Sequence, residues 1–134
     1  MSERFAITNL RRLDNVASTF GLPESFEARF AKGALDANDL GVSLQKISAG
    51  ESAPFAHRHT EQPEELYVVI AGSGTITVDG TDHPLATWDV VRVSGSALRS
   101  FAAGDEDLEF LAFGRIHPSD FELVSLDGST ADGG

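Results

Sequence analysis

Short runs of alternating or β-branched residues, each closed by turn residues, constrain the fold of this chain more than any other feature. The runs occupy residues 25–30, 41–47, 66–70, 75–78, 90–93, 98–101 and 108–113. Gly72, Ser73 and Gly74 break one run from the next, and Asp79-Gly80 is a strong hairpin signal. About eight short strands with no convincing long helix between them predict an all-β antiparallel sandwich or barrel.

The two ends differ from this middle part. Leu10, Leu13 and Val16 have roughly helical spacing, but Gly21 and Pro23 soon close the stretch. Residues 127–134 are Asp, Gly, Ser, Thr and Ala, with little to bury. We therefore expect a short N-terminal arm or helical turn at 1–24, a barrel domain at 25–124 and a flexible tail at 125–134.

Charge and composition argue against several classes of function. The formal net charge is -11, with 10 Lys and Arg against 21 Asp and Glu, so we expect no nucleic-acid partner. Cysteine is absent, which rules out disulfides and thiolate metal sites. No stretch approaches the ~18 apolar residues of a membrane span, and the N-terminus has no apolar signal region. The sequence therefore predicts a soluble, cytoplasmic protein with no membrane partner.

One segment carries residues suited to metal chemistry. In a strand, His57 and His59 face the same side while Arg58 points away. Glu64 and Glu65 open the next strand, so one of these carboxylates must face the interior. Two imidazoles and a carboxylate suit Fe(II), Mn(II), Ni(II) or Zn(II). The alternative is that the two histidines are surface residues of an edge strand and bind no metal.

This segment resembles the first motif of the cupins, which contains Gly, H-x-H, Glu and Gly. Gly50, His57, His59 and Gly72 match, and six residues separate Glu65 from Gly72, as in the family. The other two spacings are longer than in the family: six residues lie between Gly50 and His57, and five between His59 and Glu65. We favour Glu65 as the ligand, with Glu64 as the alternative, because Pro63 marks a loop that can absorb an insertion. The resemblance implies a small single-domain cupin, a double-stranded β-helix or jelly-roll barrel.

The second cupin motif is degraded in this chain. Its histidine is replaced by Arg99 or, in another alignment, by Leu98, so the fourth protein ligand is missing. If Arg99 points inward, it would weaken metal affinity, pair with Glu65, or clamp the carboxylate or phosphate of a ligand. If it points outward, it would pair with a surface acid. The residues do not decide between these orientations.

Several other side chains are secondary candidates. Tyr67 shares the strand face of Glu65, so we expect it in the pocket, with Arg99 and Phe101 as further ligand-binding residues. We expect Trp88, Phe101, Phe110 and Phe113 in the core or the pocket wall, and His83 and His117 in exposed loops. The pattern of its strand does not show whether Gln45 projects into the barrel or outward.

Three functions remain open from the sequence. The first is a metal-binding cupin with Fe, Mn, Ni or Zn at His57, His59 and Glu65, acting on a small molecule as an oxygenase or isomerase. The second is a metal-free cupin that binds a small acidic metabolite through Arg99, His57 and Tyr67. The third is a structural barrel without catalytic activity. We expect a homodimer in each case.

Overall fold

The computed structural model describes residues 4–115 and 120–126, and nearly all regular structure there is β. Two short 3₁₀ turns, Leu10–Arg12 and Ala17–Phe20, come first. The strands that follow are β1 (Phe26–Phe30), β2 (Gly41–Ile47), β3 (Phe55–His59), β4 (Glu64–Ala71), β5 (Gly74–Val78), β6 (Thr81–Leu85), β7 (Val90–Ser94), β8 (Arg99–Ala103), β9 (Leu108–Gly114) and β10 (Phe121–Ser125). The predicted all-β jelly-roll architecture is confirmed.

The strands form two antiparallel five-stranded sheets. The first sheet has the order β1-β2-β9-β4-β7, and the second has the order β10-β3-β8-β5-β6. Buried apolar side chains from both sheets make one core between them. At its centre Phe101 of the second sheet stacks on Phe110 of the first, with ring centroids 4.3 Å apart. Alternation along each strand places one apolar face on this core, which explains the period of two in the sequence.

The turn between β4 and β5 shows why the strands end where they do. Gly72 has a φ of +75°, and a Cβ at this position would lie 2.0 Å from the carbonyl oxygen of Asp107. A side chain is excluded both by the backbone conformation and by this close approach. The glycine therefore lets β4 turn into β5 directly against the loop before β9.

The N-terminal segment packs on the barrel instead of extending from it. The side-chain oxygen of Asn15 accepts hydrogen bonds from the amides of Ala17 and Ala28, at 3.1 and 3.0 Å. Ala17 is buried in the core cluster, and Gly21 ends the second 3₁₀ turn in a left-handed conformation. The expected single helical turn is thus two 3₁₀ turns. The division at 1–24, 25–124 and 125–134 stays a prediction, and residues 127–134 of the tail lie outside the described residues.

Three expectations about individual side chains are wrong: the inward position of Trp88, that of Phe113, and the loop position of His83. Trp88 is 72% exposed, because it lies in the turn between β6 and β7 with a φ of +75° that directs its ring outward. His83 is exposed as expected, but it lies in strand β6 and pairs with Ile76. This strand contains Pro84, which a sheet tolerates at its edge, and β6 is the last strand of its sheet. Phe113 is 38% exposed, whereas Phe101 and Phe110 are buried as expected.

His117 lies outside the described residues, so its expected position in an exposed loop is untested. Among residues 4–115 and 120–126, no helix has the length and apolar character needed to cross a membrane.

Candidate metal centre and adjoining pocket

Two strands from different sheets bring the three candidate ligands together. His57 and His59 lie on β3 of the second sheet, and Glu65 lies on β4 of the first. The strand period turns both imidazoles and the Glu65 carboxylate inward, toward one another. His59 and Glu65 are buried, and the side chain of His57 is 27% exposed. The group therefore spans the space between the sheets and opens on the side of His57.

The distances between donor atoms fit a single metal ion. Nε2 of His59 lies 3.3 Å from Oε1 of Glu65, and Nε2 of His57 lies 3.6 Å from the same oxygen. One ligand atom of each residue lies within 4.8 Å of the other two. Ligands bound to one ion at about 2.1 Å lie roughly 3.0–3.5 Å apart, depending on the geometry. The donor set therefore fits a first-row divalent metal with small side-chain movements.

The neighbouring glutamate does not share this position. The side chain of Glu64 is 58% exposed and lies 4.0 Å from the guanidinium of Arg92. Glu65, by contrast, is 3% exposed. Because successive side chains of a strand point to opposite faces, Glu65 faces the interior and Glu64 faces solvent.

The protonation states of the centre suit metal binding. Burial opposes ionisation of Glu65, but its hydrogen bonds with His57 and His59 outweigh this and hold its pKa below the usual range. Burial also lowers the pKa of His57, with Glu65 opposing this shift. Near neutral pH the centre therefore presents a charged carboxylate and a neutral His57 imidazole, the forms that bind metals.

Tyr67 supports the carboxylate from the same face of β4. Its hydroxyl donates a hydrogen bond to Oε1 of Glu65 and lies 3.5 Å from Nε2 of His57. Burial, together with the negative charge of Glu65, raises the pKa of Tyr67 well above its usual value. The phenol therefore stays protonated, and it holds Glu65 in place as a hydrogen-bond donor.

Asp120 also lies beside the candidate centre, although no sequence pattern predicted it there. It is 1% exposed, and its Oδ2 lies 3.4 Å from Nδ1 of His59, the ring nitrogen turned away from Glu65. Its carboxylate also accepts hydrogen bonds from the amides of Thr60, Glu61 and Gln62. Metal-binding histidines commonly have such a carboxylate on the second ring nitrogen. No local motif marks Asp120, because only the pairing of β10 with β3 brings it here.

Arg99 faces inward, which resolves the open question about its orientation. It pairs with His57 across β3 and β8 and is fully buried. Its Nη1 donates to the carbonyl oxygens of Gly95 and Ala97, at 3.0 and 2.8 Å, and its Nη2 lies 3.8 Å from Oε1 of Glu65. Arg99, not Leu98, thus lies beside the candidate centre. A permanent cation is held within ion-pair distance of the carboxylate.

A cavity of about 590 Å³ adjoins the centre. His57, His59 and Glu65 line it together with Gln45, Lys32 and Asp36. The rest of its wall is mostly apolar and includes Phe20, Leu22, Ala28, Phe30, Val42 and Leu123. Phe20 and Leu22 come from the segment that the sequence assigned to the arm, so the N-terminal segment forms part of the pocket.

The three residues expected to bind a ligand lie behind this wall. Arg99, Tyr67 and Phe101 are buried and are not among the described residues that line the cavity. Tyr67 contacts Glu65, and Phe101 packs edge-on against Tyr67 with ring centroids 4.8 Å apart. Their direct contact with a ligand stays a prediction, while the structure shows them supporting the centre.

Comparison with known proteins agrees with this architecture. The model of a family described as the cupin domain matches residues 43–114. Dimethylsulfoniopropionate lyase DddW of Ruegeria pomeroyi is 40% identical over 86 residues, which are 64% of this chain and 53% of the lyase. The chain therefore spans about half the length of this curated relative.

Solved structures show the same fold at low sequence identity. A cupin protein from Bacteroides fragilis has a TM-score of 0.68 and 23% identity, covering 88% of this chain and 89% of that one. Oxalate decarboxylase from Bacillus subtilis, described with Mn(II) centres, has a TM-score of 0.68 and 21% identity, covering 88% of this chain and 31% of the enzyme. Salicylate 1,2-dioxygenase from Pseudoaminobacter salicylatoxidans has a TM-score of 0.61 and 15% identity, covering 75% of this chain and 28% of the enzyme.

The family match covers more than half of the chain, and it includes all three candidate ligands and Arg99. The chain belongs to the cupin family.

Proposed function

We propose that this protein is a metal-dependent enzyme whose His57, His59 and Glu65 hold a first-row divalent metal. The observation that carries the proposal is the convergence of three donors from two sheets on one point, with separations of 3.3 and 3.6 Å. The ionised Glu65 and neutral His57 support it, because these forms bind metals. Iron, manganese, nickel and zinc all accept such ligands, and the Mn(II) centres of the similar decarboxylase favour manganese as the first metal to test.

We propose further that the substrate is a small organic carboxylate. Dimethylsulfoniopropionate, oxalate and salicylate, the compounds named for three similar proteins, are all carboxylates. The adjoining cavity, with Phe20, Leu22, Phe30 and other apolar side chains in its wall, favours a ligand with an apolar body. A bound divalent metal supplies Lewis-acid chemistry to such an oxygen ligand.

Lyase chemistry is the reaction class to test first. It is the class of the relative that shares 40% identity with this chain over 86 residues. The oxygenase and isomerase reactions expected from the sequence remain alternative results of the same assay. In each case this chain's own residues orient the substrate: mostly apolar side chains line the cavity beside the centre, and Tyr67 holds Glu65.

The metal-free alternative receives less support from the structure. Arg99 is fully buried, and its guanidinium lies near Glu65 instead of on the cavity wall. Direct binding of an acidic metabolite through Arg99 would therefore require Glu65 to move aside.

We also retain a homodimer and a cytoplasmic location as proposals. Leu66, Phe113 and Val90 are 41%, 38% and 63% exposed. The registers of β4 with β9 and β7 place them on one outer face of the first sheet. An exposed apolar face of this kind supports self-association.

The test is an assay of metal-loaded protein on a panel of small carboxylates, with and without oxygen. We expect at least one of them to be consumed without oxygen, as a lyase requires. The Glu65→Gln variant should lose the activity about a hundredfold or more, while Glu64→Gln, which changes the exposed neighbour, should retain it. Equal activity in the two variants, or no turnover by fully loaded protein, would contradict the proposal.

A further inference from the structure

The charges around the candidate centre do not balance once a divalent metal is present. Among the residues the structure describes, three charged side chains belong to or adjoin the candidate centre. Glu65 is a candidate ligand, Asp120 lies within ion-pair distance of His59, and Arg99 lies within ion-pair distance of Glu65. Together they carry two negative charges and one positive charge. Lys32 and Asp36, on the cavity wall, carry opposite charges that offset each other. A divalent cation would therefore leave one uncompensated positive charge in a buried site.

We infer that Arg99 makes metal binding depend on a monoanion, so that the metal and a carboxylate ligand bind cooperatively. The inference rests on the proposed metal site and deepens it, because it assigns the ligand a single negative charge. A buried charge without a counter-charge is costly, and a monoanion beside the metal removes the excess. The carboxylate would thus be part of the stable loaded centre, as well as the group to be transformed.

Arg99 cannot easily avoid this effect by withdrawing from the site. Its Nη1 is fixed by hydrogen bonds to the carbonyl oxygens of Gly95 and Ala97, both in the turn before β8. Arginine carries a permanent positive charge in proteins, and Arg99 is fully buried, so solvent screens this charge poorly. Its Nε and Nη2 have no hydrogen-bond partner within the part of the chain that the structure describes. The guanidinium is therefore fixed in position, while two of its nitrogen atoms lack a hydrogen-bond acceptor among the described residues.

A neutral side chain at position 99 should remove the cooperativity between metal and anion. The loaded centre would then be balanced by Glu65 and Asp120 alone, and a monoanion would add an excess negative charge. We expect Arg99→Met to bind a divalent metal more tightly without any added anion. Because the coupling of two ligands is reciprocal, the bound metal should raise anion affinity by the same factor by which the anion raises metal affinity, and a neutral residue at position 99 should reduce both effects together.

The experiment titrates the purified full chain with Co(II), whose visible absorption reports on its coordination. Each titration is done alone, with benzoate, and with benzamide as a neutral control of the same shape. For the wild type we expect benzoate to raise Co(II) affinity about tenfold or more and Co(II) to raise benzoate affinity by the same factor. Benzamide should have no such effect.

Three variants separate charge from packing at Arg99. In Arg99→Met we expect the benzoate effect to fall to about twofold or less and Co(II) affinity without benzoate to rise about tenfold. Arg99→Lys, which preserves the charge, should retain the cooperativity. Arg99→Gln replaces the methionine variant if thermal melting shows that the latter does not fold. Equal cooperativity in the wild type and the neutral variant would overturn the inference.

The outcomes distinguish this inference from the proposed function. If the wild type binds Co(II) and His57→Ala abolishes binding, the metal site stands whatever Arg99 does. If the neutral variants then bind Co(II) no more tightly than the wild type, only the role of Arg99 is refuted. If the wild type fails to bind Co(II) even with benzoate, both proposals are refuted.

Discussion

Asp120 provides the most informative perturbation, because it links the stability of a loop to the orientation of a candidate ligand. Its carboxylate accepts hydrogen bonds from the amides of Thr60, Glu61 and Gln62. The same carboxylate lies 3.4 Å from Nδ1 of His59. Replacing Asp120 by alanine removes both functions, whereas asparagine keeps the shape and one oxygen acceptor. The two variants therefore separate loop stability from the support of His59.

The expected magnitude follows from the burial of these partners. The Thr60 amide keeps its 2.7 Å hydrogen bond to the backbone carbonyl oxygen of Asp120. Glu61 is exposed, so water can replace the lost carboxylate at its amide, at a cost of roughly 0.5–1.5 kcal/mol. Gln62 is 7% exposed, and its amide would lose its partner at a cost of about 1–3 kcal/mol. We therefore expect Asp120→Ala to lower the free energy of unfolding by about 3 kcal/mol. Asp120→Asn should lose about half as much.

Metal affinity should respond differently from stability. Both variants remove the negative charge beside His59, and loss of such a partner typically costs about 10–100-fold in metal affinity. Urea unfolding measures the first effect and Co(II) titration the second. Asp82→Ala is the matched control, because Asp82 is an exposed aspartate that accepts a hydrogen bond from the Thr77 hydroxyl, at 2.6 Å. If the Asp120→Ala protein has the stability and metal affinity of this control, Asp120 supports neither the loop nor His59.

Two further predictions concern the fold. Gly95→Ala should lower the free energy of unfolding by about 2–4 kcal/mol, since its Cβ would lie 1.9 Å from the carbonyl oxygen of Gln62. Gly33→Ala, with nothing within 4 Å, should change it little; equal urea midpoints for the two would contradict the packing. A hydrogen bond from Arg29 lowers the pKa of Glu27 below 4.5, so its stabilising contribution is present above that pH and lost as the pH falls. The difference in urea midpoint between wild type and Glu27→Gln should shrink below about pH 4.5, and a constant difference would contradict this.

Local sequence patterns were enough to predict most of the strands and the face of the key carboxylate, but they did not predict β6 or β10. Alternation reports burial directly, because successive side chains of a strand point to opposite faces. The same period distinguishes buried Glu65 from exposed Glu64 and places Tyr67 beside it. These predictions succeed because each depends on residues only a few positions apart.

Features that depend on contacts between residues far apart in the sequence were not predicted. Asp120 reaches His59 only because β10 pairs with β3, and Phe20 reaches the cavity only because the N-terminal segment packs on β1. The orientation of Arg99 depends on its register with His57 across β3 and β8. Trp88 was expected inside because it is large and apolar, but the backbone of its turn directs it into solvent. Composition alone carries no information about such contacts.

Metal stoichiometry shows directly whether His57, His59 and Glu65 hold a metal ion. Protein reconstituted with Mn(II) or Fe(II) in the presence of benzoate, freed of unbound metal, is measured by elemental analysis. We expect about one equivalent per chain for the wild type and for His83→Ala, whose histidine is exposed on β6. The His57→Ala/His59→Ala variant should retain less than about one-tenth equivalent. A wild type with as little metal as this double variant would show that the three residues do not form a metal site.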